Sequence, residues 1–92
     1  MDLLQTLKLN RKAILTDYSL DTYYKDAIDS AKAELSVENI SDSVLNSEYG
    51  QRVIIYCSEL ILDKKDRATD PTLILMKNTL SNMTDGERCE NV

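Results

Sequence analysis

Apolar side chains return every three or four residues along most of this chain, and the two longest periodic stretches predict two long helices. In the first, Leu20, Tyr23, Tyr24, Ala27, Ile28, Ala31 and Leu35 fall on one face, and Asp21, Lys25, Asp29 and Lys32 on the other. Asp17 or Ser19 is the expected N-cap, and the helix runs to about Leu35. In the second, Tyr49, Val53, Tyr56, Cys57 and Leu60 form one broad face with Ile54 and Ile61 at its margin. Asn46 or Ser47 caps this helix, Glu48 suits its first turn, and Lys64 or Lys65 suits its end. Ile55 and Leu62 lie one heptad apart on a separate line, between Gln51 and Ser58 on one side and Glu48, Glu59 and Arg52 on the other. A second apolar seam needs a second partner: another element of the chain, a neighbouring subunit or a different protein.

Shorter elements flank this pair. Asp2 can cap a first helix carrying Leu3, Leu4 and Leu7, which the polar stretch from Lys8 to Lys12 ends or bends. Ala13-Ile14-Leu15 is too short to assign by period. From Ser36 to Asn46 the period is lost to Ser, Asn and Asp, whose side chains compete with helical backbone bonds, so this stretch reads as a connector with Ile40, Val44 and Leu45 tucked against the core. Asp70-Pro71 supplies the N-cap and N1 residues of a last helix with Leu73, Met76, Leu80 and Met83 as its stripe. Ile74 and Leu75 fall outside that stripe, a second apolar surplus. The expected architecture is all-α: a bundle of about four helices over residues 1–83, with residues 84–92 as a mobile polar tail.

Composition narrows the class. The chain has 92 residues, no Phe or Trp, two Gly and one Pro, so a single modest core must be filled by Leu, Ile, Val and Tyr with few sites for tight turns. No apolar run approaches the roughly 18 residues a membrane span needs, and no secretory leader pattern opens the sequence. A soluble protein that stays where it is made is expected. The formal charge of −5 leaves no broad basic field for a phosphate backbone. One dense positive group stands out, Lys8, Arg11 and Lys12, a candidate phosphate or acidic-partner contact. Cys57 falls on a buried helical face and Cys89 in the polar tail, a setting for free thiols in a reducing compartment.

Catalytic chemistry finds little to stand on. The chain has no His, no Cys-x-x-Cys pair and no glycine-rich phosphate loop, since Gly50 and Gly86 stand alone. Asp26 and Asp29 read as ordinary surface charge, and Tyr23 and Tyr24 as packing residues near Tyr18. No catalytic, cofactor or metal residue is assigned, and no enzyme activity is expected.

The order of pieces carries a resemblance: Leu7-Lys8-Leu9, then Asp17 and Tyr24-Lys25-Asp26-Ala27-Ile28-Asp29-Ser30-Ala31-Lys32, then Val53-Ile54-Ile55-Tyr56 with Leu60-Ile61-Leu62-Asp63-Lys64-Lys65, and finally Leu73-Ile74-Leu75-Met76 with Asn78-Thr79-Leu80-Ser81. Over nearly its whole length this resembles the small head-tail connector, or head-completion adaptor, proteins of tailed bacteriophages and prophages. The resemblance implies an all-α subunit of a ring beneath the portal protein, continuing the DNA channel with only transient DNA contact and offering a platform to the next neck or tail-completion protein. It implies the virion neck as location, with the host cytoplasm during assembly. On that reading Ile55, Leu62, Ile74 and Leu75 are the candidate subunit or partner interface, and Lys8, Arg11 and Lys12 the candidate DNA-channel or acidic-partner contact. A rival class is a small acidic helical protein that regulates or inhibits a partner, although its carboxylates alternate with Lys25, Lys32, Arg52, Lys64 and Lys65 instead of lining one face.

Overall fold

Capping residues set the helix boundaries. The computed structural model describes residues 2–37 and 40–83, which form an all-α bundle. Helix α1 (Leu3–Asn10) opens with a capping box, in which the Asp2 carboxylate accepts from the Gln5 N–H at 2.8 Å and the Gln5 side chain accepts from the Asp2 N–H. Helix α4 (Glu48–Leu62) is capped by Ser47, and α5 (Pro71–Asn82) by Asp70 with Pro71 in its first turn. These starts match the sequence expectation.

Two elements differ from it. The long helix α2 spans Asp21–Ser36 and begins later than expected, with Leu20 at its N-cap and no side-chain cap. The Asp17 carboxylate is engaged locally, accepting from the Ser19 N–H two residues on, so the chain turns there instead of starting a helix. Within the expected connector a short helix, α3 (Asp42–Leu45), forms on Ser41, whose hydroxyl accepts from the Val44 N–H. It buries Val44 and Leu45, and Ile40 just before it is also buried, so this stretch does tuck against the core.

Helices α1 and α4 end in the same motif. Lys12 and Lys64 hold φ of 60° and 58°, the left-handed conformation in which Gly is usual. After α1 the Lys12 N–H bonds to Leu9 O and the Ala13 N–H to Lys8 O; after α4 the Lys64 N–H bonds to Ile61 O and the Lys65 N–H to Leu60 O. This paired pattern satisfies the last carbonyls of both helices and turns the chain sharply. Gly50 has a different task. A Cβ there would lie 2.6 Å from the Leu45 carbonyl oxygen, so the absence of a side chain lets α3 close onto the first turn of α4.

Helix α4 is the centre of the bundle and contacts α1, α2, α3 and α5. Its core includes Val53, Ile54, Cys57 and Leu60, packed with Leu7, Ile28, Ala31, Leu35, Leu73 and Leu80. Ile55 belongs to this core as well, only 6% exposed, which corrects its expected place on an open seam. The partner for that side of α4 comes from the same chain, since α1 and α5 both lie against it. Leu20 and Tyr23, expected on the apolar face of α2, are half exposed: Leu20 precedes the first helical residue, and Tyr23 sits at the margin of a face centred on Tyr24, Ala27, Ile28 and Ala31. The expected mobile tail, residues 84–92, lies outside the described residues, and Cys89 with it.

Candidate functional site

The connector between α1 and α2 is organised from within by one buried cation. Lys8 projects from α1 with its side chain 3% exposed, and its ammonium donates to Leu15 O at 3.1 Å, Asp17 O at 2.8 Å and Asp21 Oδ1 at 2.7 Å. Those acceptors match the three N–H donors of a lysine, so the buried charge is paired and fully hydrogen-bonded. The same ammonium lies 5.2 Å from the centre of the Tyr18 ring. Two connector carbonyls therefore point inward, and the apolar side chains of the segment face water. Ile14 and Tyr18 are each 70% exposed, and Leu9, Leu15, Leu20 and Tyr23, before, between and after them in the chain, are exposed as well. Most of the exposed large apolar side chains among the described residues fall between Leu9 and Tyr23. Exposed large apolar side chains of this kind make the segment a candidate contact surface.

This arrangement dismantles the expected basic cluster. Lys8 is a buried structural ion, which corrects its assignment as a DNA-channel or acidic-partner contact. Arg11 is tied to Asp63 at 2.8 Å, linking the end of α1 to the end of α4; the pair raises the guanidinium pKa and lowers that of the carboxylate. Lys12 remains exposed, but its backbone is committed to the turn that ends α1. The three side chains do not share one positive face.

The expected interface residues also separate. Ile55 lies in the wall of a groove of about 380 Å³ between α1, α4 and α5, with Leu3, Tyr56 and Met76 as apolar neighbours and Asn10 and Glu59 at the edge. Leu62, half buried, lines a different depression with Tyr23, Ala27 and Ile61. The two residues of the supposed seam thus serve different surfaces. Ile74 and Leu75 are exposed on α5, where Leu75 is 68% accessible. None of the positions that α5 exposes carries a charge, in contrast to α2, where Lys25, Asp26, Asp29 and Lys32 are all exposed. Charge depletion of this sort is typical of the centre of a protein interface.

Comparison with known proteins adds no family. No protein-family model and no solved structure matches the chain. Over 48 residues it is 38% identical to the biosynthetic arginine decarboxylase of Prochlorococcus marinus (strain MIT 9515). That stretch is 52% of this chain and 7% of the decarboxylase, so it carries no assignment of activity.

Reactive chemistry is muted in the described residues. They contain no group of three or more His, Cys, Asp or Glu placed to hold a metal ion, and no helix among them is long and apolar enough to cross a membrane. Burial pushes the Cys57 thiol up to about 11, so it stays protonated near neutral pH. Beside it, Arg67 grips Glu34 through Nε and Nη2, the latter at 2.6 Å, and this contact lowers the carboxyl pKa and fastens the α4–α5 connector to α2. Tyr56 donates its hydroxyl to Asp70 Oδ2 at 2.9 Å, which holds the N-cap of α5 against α4. These are fastenings between elements.

The exposed belt from Leu9 to Tyr23 was the feature that periodicity missed. A signal for it does exist in the sequence: Ile14, Leu15 and Tyr18 crowd a stretch without helical period, where solvent-facing loops are ordinarily polar.

Proposed function

We propose that this chain is a non-enzymatic assembly protein of the head-tail connector type, a helical subunit that works through apolar contact surfaces. The observation that carries the reading is the belt on the α1–α2 connector, where large apolar side chains are held outward on a backbone fixed by Lys8. A preorganised surface binds without the entropic cost of ordering a loop, which suits a subunit that must dock repeatedly in one geometry. The uncharged outer face of α5, with Ile74 and Leu75, offers a second contact for a different neighbour. Two surfaces on one subunit are what a ring between a portal protein and the next neck or tail-completion protein needs. The order of sequence pieces that resembles phage connectors supports the same function and the virion neck as its place. Any DNA contact in such a channel would be transient, since Lys8 is buried and Arg11 is paired with Asp63, which breaks up the basic cluster.

The test is co-expression of the chain with the portal protein encoded beside it, followed by sedimentation and electron microscopy of the particles. The expected result is a ring of this chain on the portal. Leu75→Asp or Tyr18→Asp should weaken its attachment or closure while the isolated chain stays helical. A chain that never associates with the portal, or open reading frames nearby that encode no capsid or portal protein, would contradict the reading.

A further inference from the structure

We infer that the apolar belt of one copy seats in the α1–α4–α5 groove of a second copy, giving a head-to-tail contact. The inference rests on the assembly reading above and adds which surfaces of the chain meet. Both surfaces are apolar and each offers what the other lacks. The belt exposes Ile14, Leu15 and Tyr18 on a segment held by Lys8, and the groove is lined by Leu3, Ile55, Tyr56 and Met76. Its volume of about 380 Å³ suits a few large side chains and falls within the range of about 300–1,000 Å³ over which clefts hold compact apolar groups.

Charge favours a copy of this chain over its own tail as occupant. The apolar run of the belt is flanked by Lys12 on one side and interrupted by Asp17 on the other, both exposed. The rim of the groove offers both signs, Glu48 and Glu59 with Arg52. The tail, by contrast, brings Asp85, Glu87 and Glu90 against a single Arg88, an acidic segment facing a rim that already holds two carboxylates. Because the belt and the groove are different surfaces, the contact is heterologous: each copy gives one and receives the other, which generates rings or open arrays. One knob in one groove covers less than the roughly 1,200 Å² of a stable interface. The contact is therefore weak for a pair of copies and becomes effective when a platform holds many side by side.

A photoreactive benzophenone side chain in place of Tyr18 tests this on the purified full chain. Equal amounts of 15N-labelled and unlabelled protein are mixed, irradiated over a range of concentrations, and the cross-linked peptides read by mass spectrometry. Mixed-isotope cross-links should appear, rise with concentration and map to Leu3, Ile55, Tyr56 or Met76. Met76→Glu, which places a charge in the groove wall, should lower their yield by about tenfold or more. Thr6→Glu at the α1 edge of the same groove should act likewise if Met76→Glu proves unstable by circular dichroism, and Lys25→Ala on the exposed side of α2 should leave the yield unchanged. Cross-links confined to single copies, links to the tail, or links between copies that land outside the groove would each overturn the inference. If portal binding persists in that case, the assembly reading stands without this contact. Loss of portal binding with the cross-links intact would instead keep the contact between copies and remove the connector function.

Discussion

Helix α4 and the segment from Leu9 to Tyr23 are both rich in large apolar residues, yet the fold treats them in opposite ways. Around α4 four other helices close in, so that Val53, Ile54, Ile55, Cys57 and Leu60 are all buried. Around the connector none of the described residues closes in from outside, and Ile14, Tyr18 and Leu20 are exposed among them. The difference lies in where backbone polar groups find partners. A helix satisfies its own N–H and C=O groups and is free to be surrounded by apolar neighbours. A connector must find partners elsewhere, and here Lys8 supplies them for Leu15 and Asp17 from the interior side. Once the carbonyls face in, the side chains between them face out. Apolar content therefore does not tell core from surface; the location of the hydrogen-bond partners does.

The largest expected effect comes from treating α4 as if it were surface. Ile55→Asp should cost about 3–5 kcal/mol, as an unpaired buried charge does, and unfold much of the protein. Leu62→Asp at a half-buried position should cost about 1 kcal/mol. Chemical denaturation of both variants checks this, and equal small losses would return Ile55 to the surface.

Next in size is the connector's internal anchor. Lys8→Met removes the charge partner of Asp21 and leaves the Leu15 and Asp17 carbonyls unpaired, at about 2–4 kcal/mol. Lys12→Met, one turn away in water, should stay within about 0.5 kcal/mol. Amide exchange should quicken through residues 13–20 in Lys8→Met alone. Similar behaviour of the two variants would mean that Lys8 does not organise the segment.

Much of the fold was legible in the sequence because it is locally encoded. Asp2, Ser47 and Asp70 announce the starts of α1, α4 and α5, and the stripe of Leu73, Met76, Leu80 and Met83 gives the buried side of α5 correctly. What escaped depends on contacts distant in sequence. Periodicity placed Ile55 on a separate line of α4 but could not say that α1 and α5 would cover it. Charge clustering joined Lys8 to Arg11 and Lys12, although Lys8 turns inward to an aspartate 13 residues on and Arg11 reaches Asp63. The task of Gly50, admitting the end of α3, gives no sequence signal because it involves a helix too short to show a period. Of the four interface candidates, Ile74 and Leu75 are the exposed pair, while the belt around Tyr18 went unread because its segment has no period at all.

A smaller effect separates the fastening of α2 from the anchor of the connector. Arg67 holds the Glu34 carboxyl below its ordinary value, so the stability it contributes is complete above about pH 4.3 and is lost as pH falls through the lowered folded-state value. Both side chains are about one-third exposed, so solvent screening keeps the contribution to about 1 kcal/mol or less. Glu34→Gln should lower stability at neutral pH and narrow its distance from the parent protein in acid. A distance that stays constant from pH 7 to pH 3 would show that the pair does not fasten the helices.

Hydroxyl-radical footprinting of the dilute, isolated chain tests the contrast between α4 and the connector most directly, since identical residue types can be compared across the two regions. Ile14 should oxidise faster than Ile55, in rough proportion to their 70% and 6% exposures, and Tyr18 faster than Tyr24, with exposures of 70% and 8%. In assembled particles the rates at Ile14 and Tyr18 should fall toward those of their buried counterparts. Equal rates for Ile14 and Ile55 in the isolated chain would contradict the contrast, because the belt would then be covered or the centre of the bundle open.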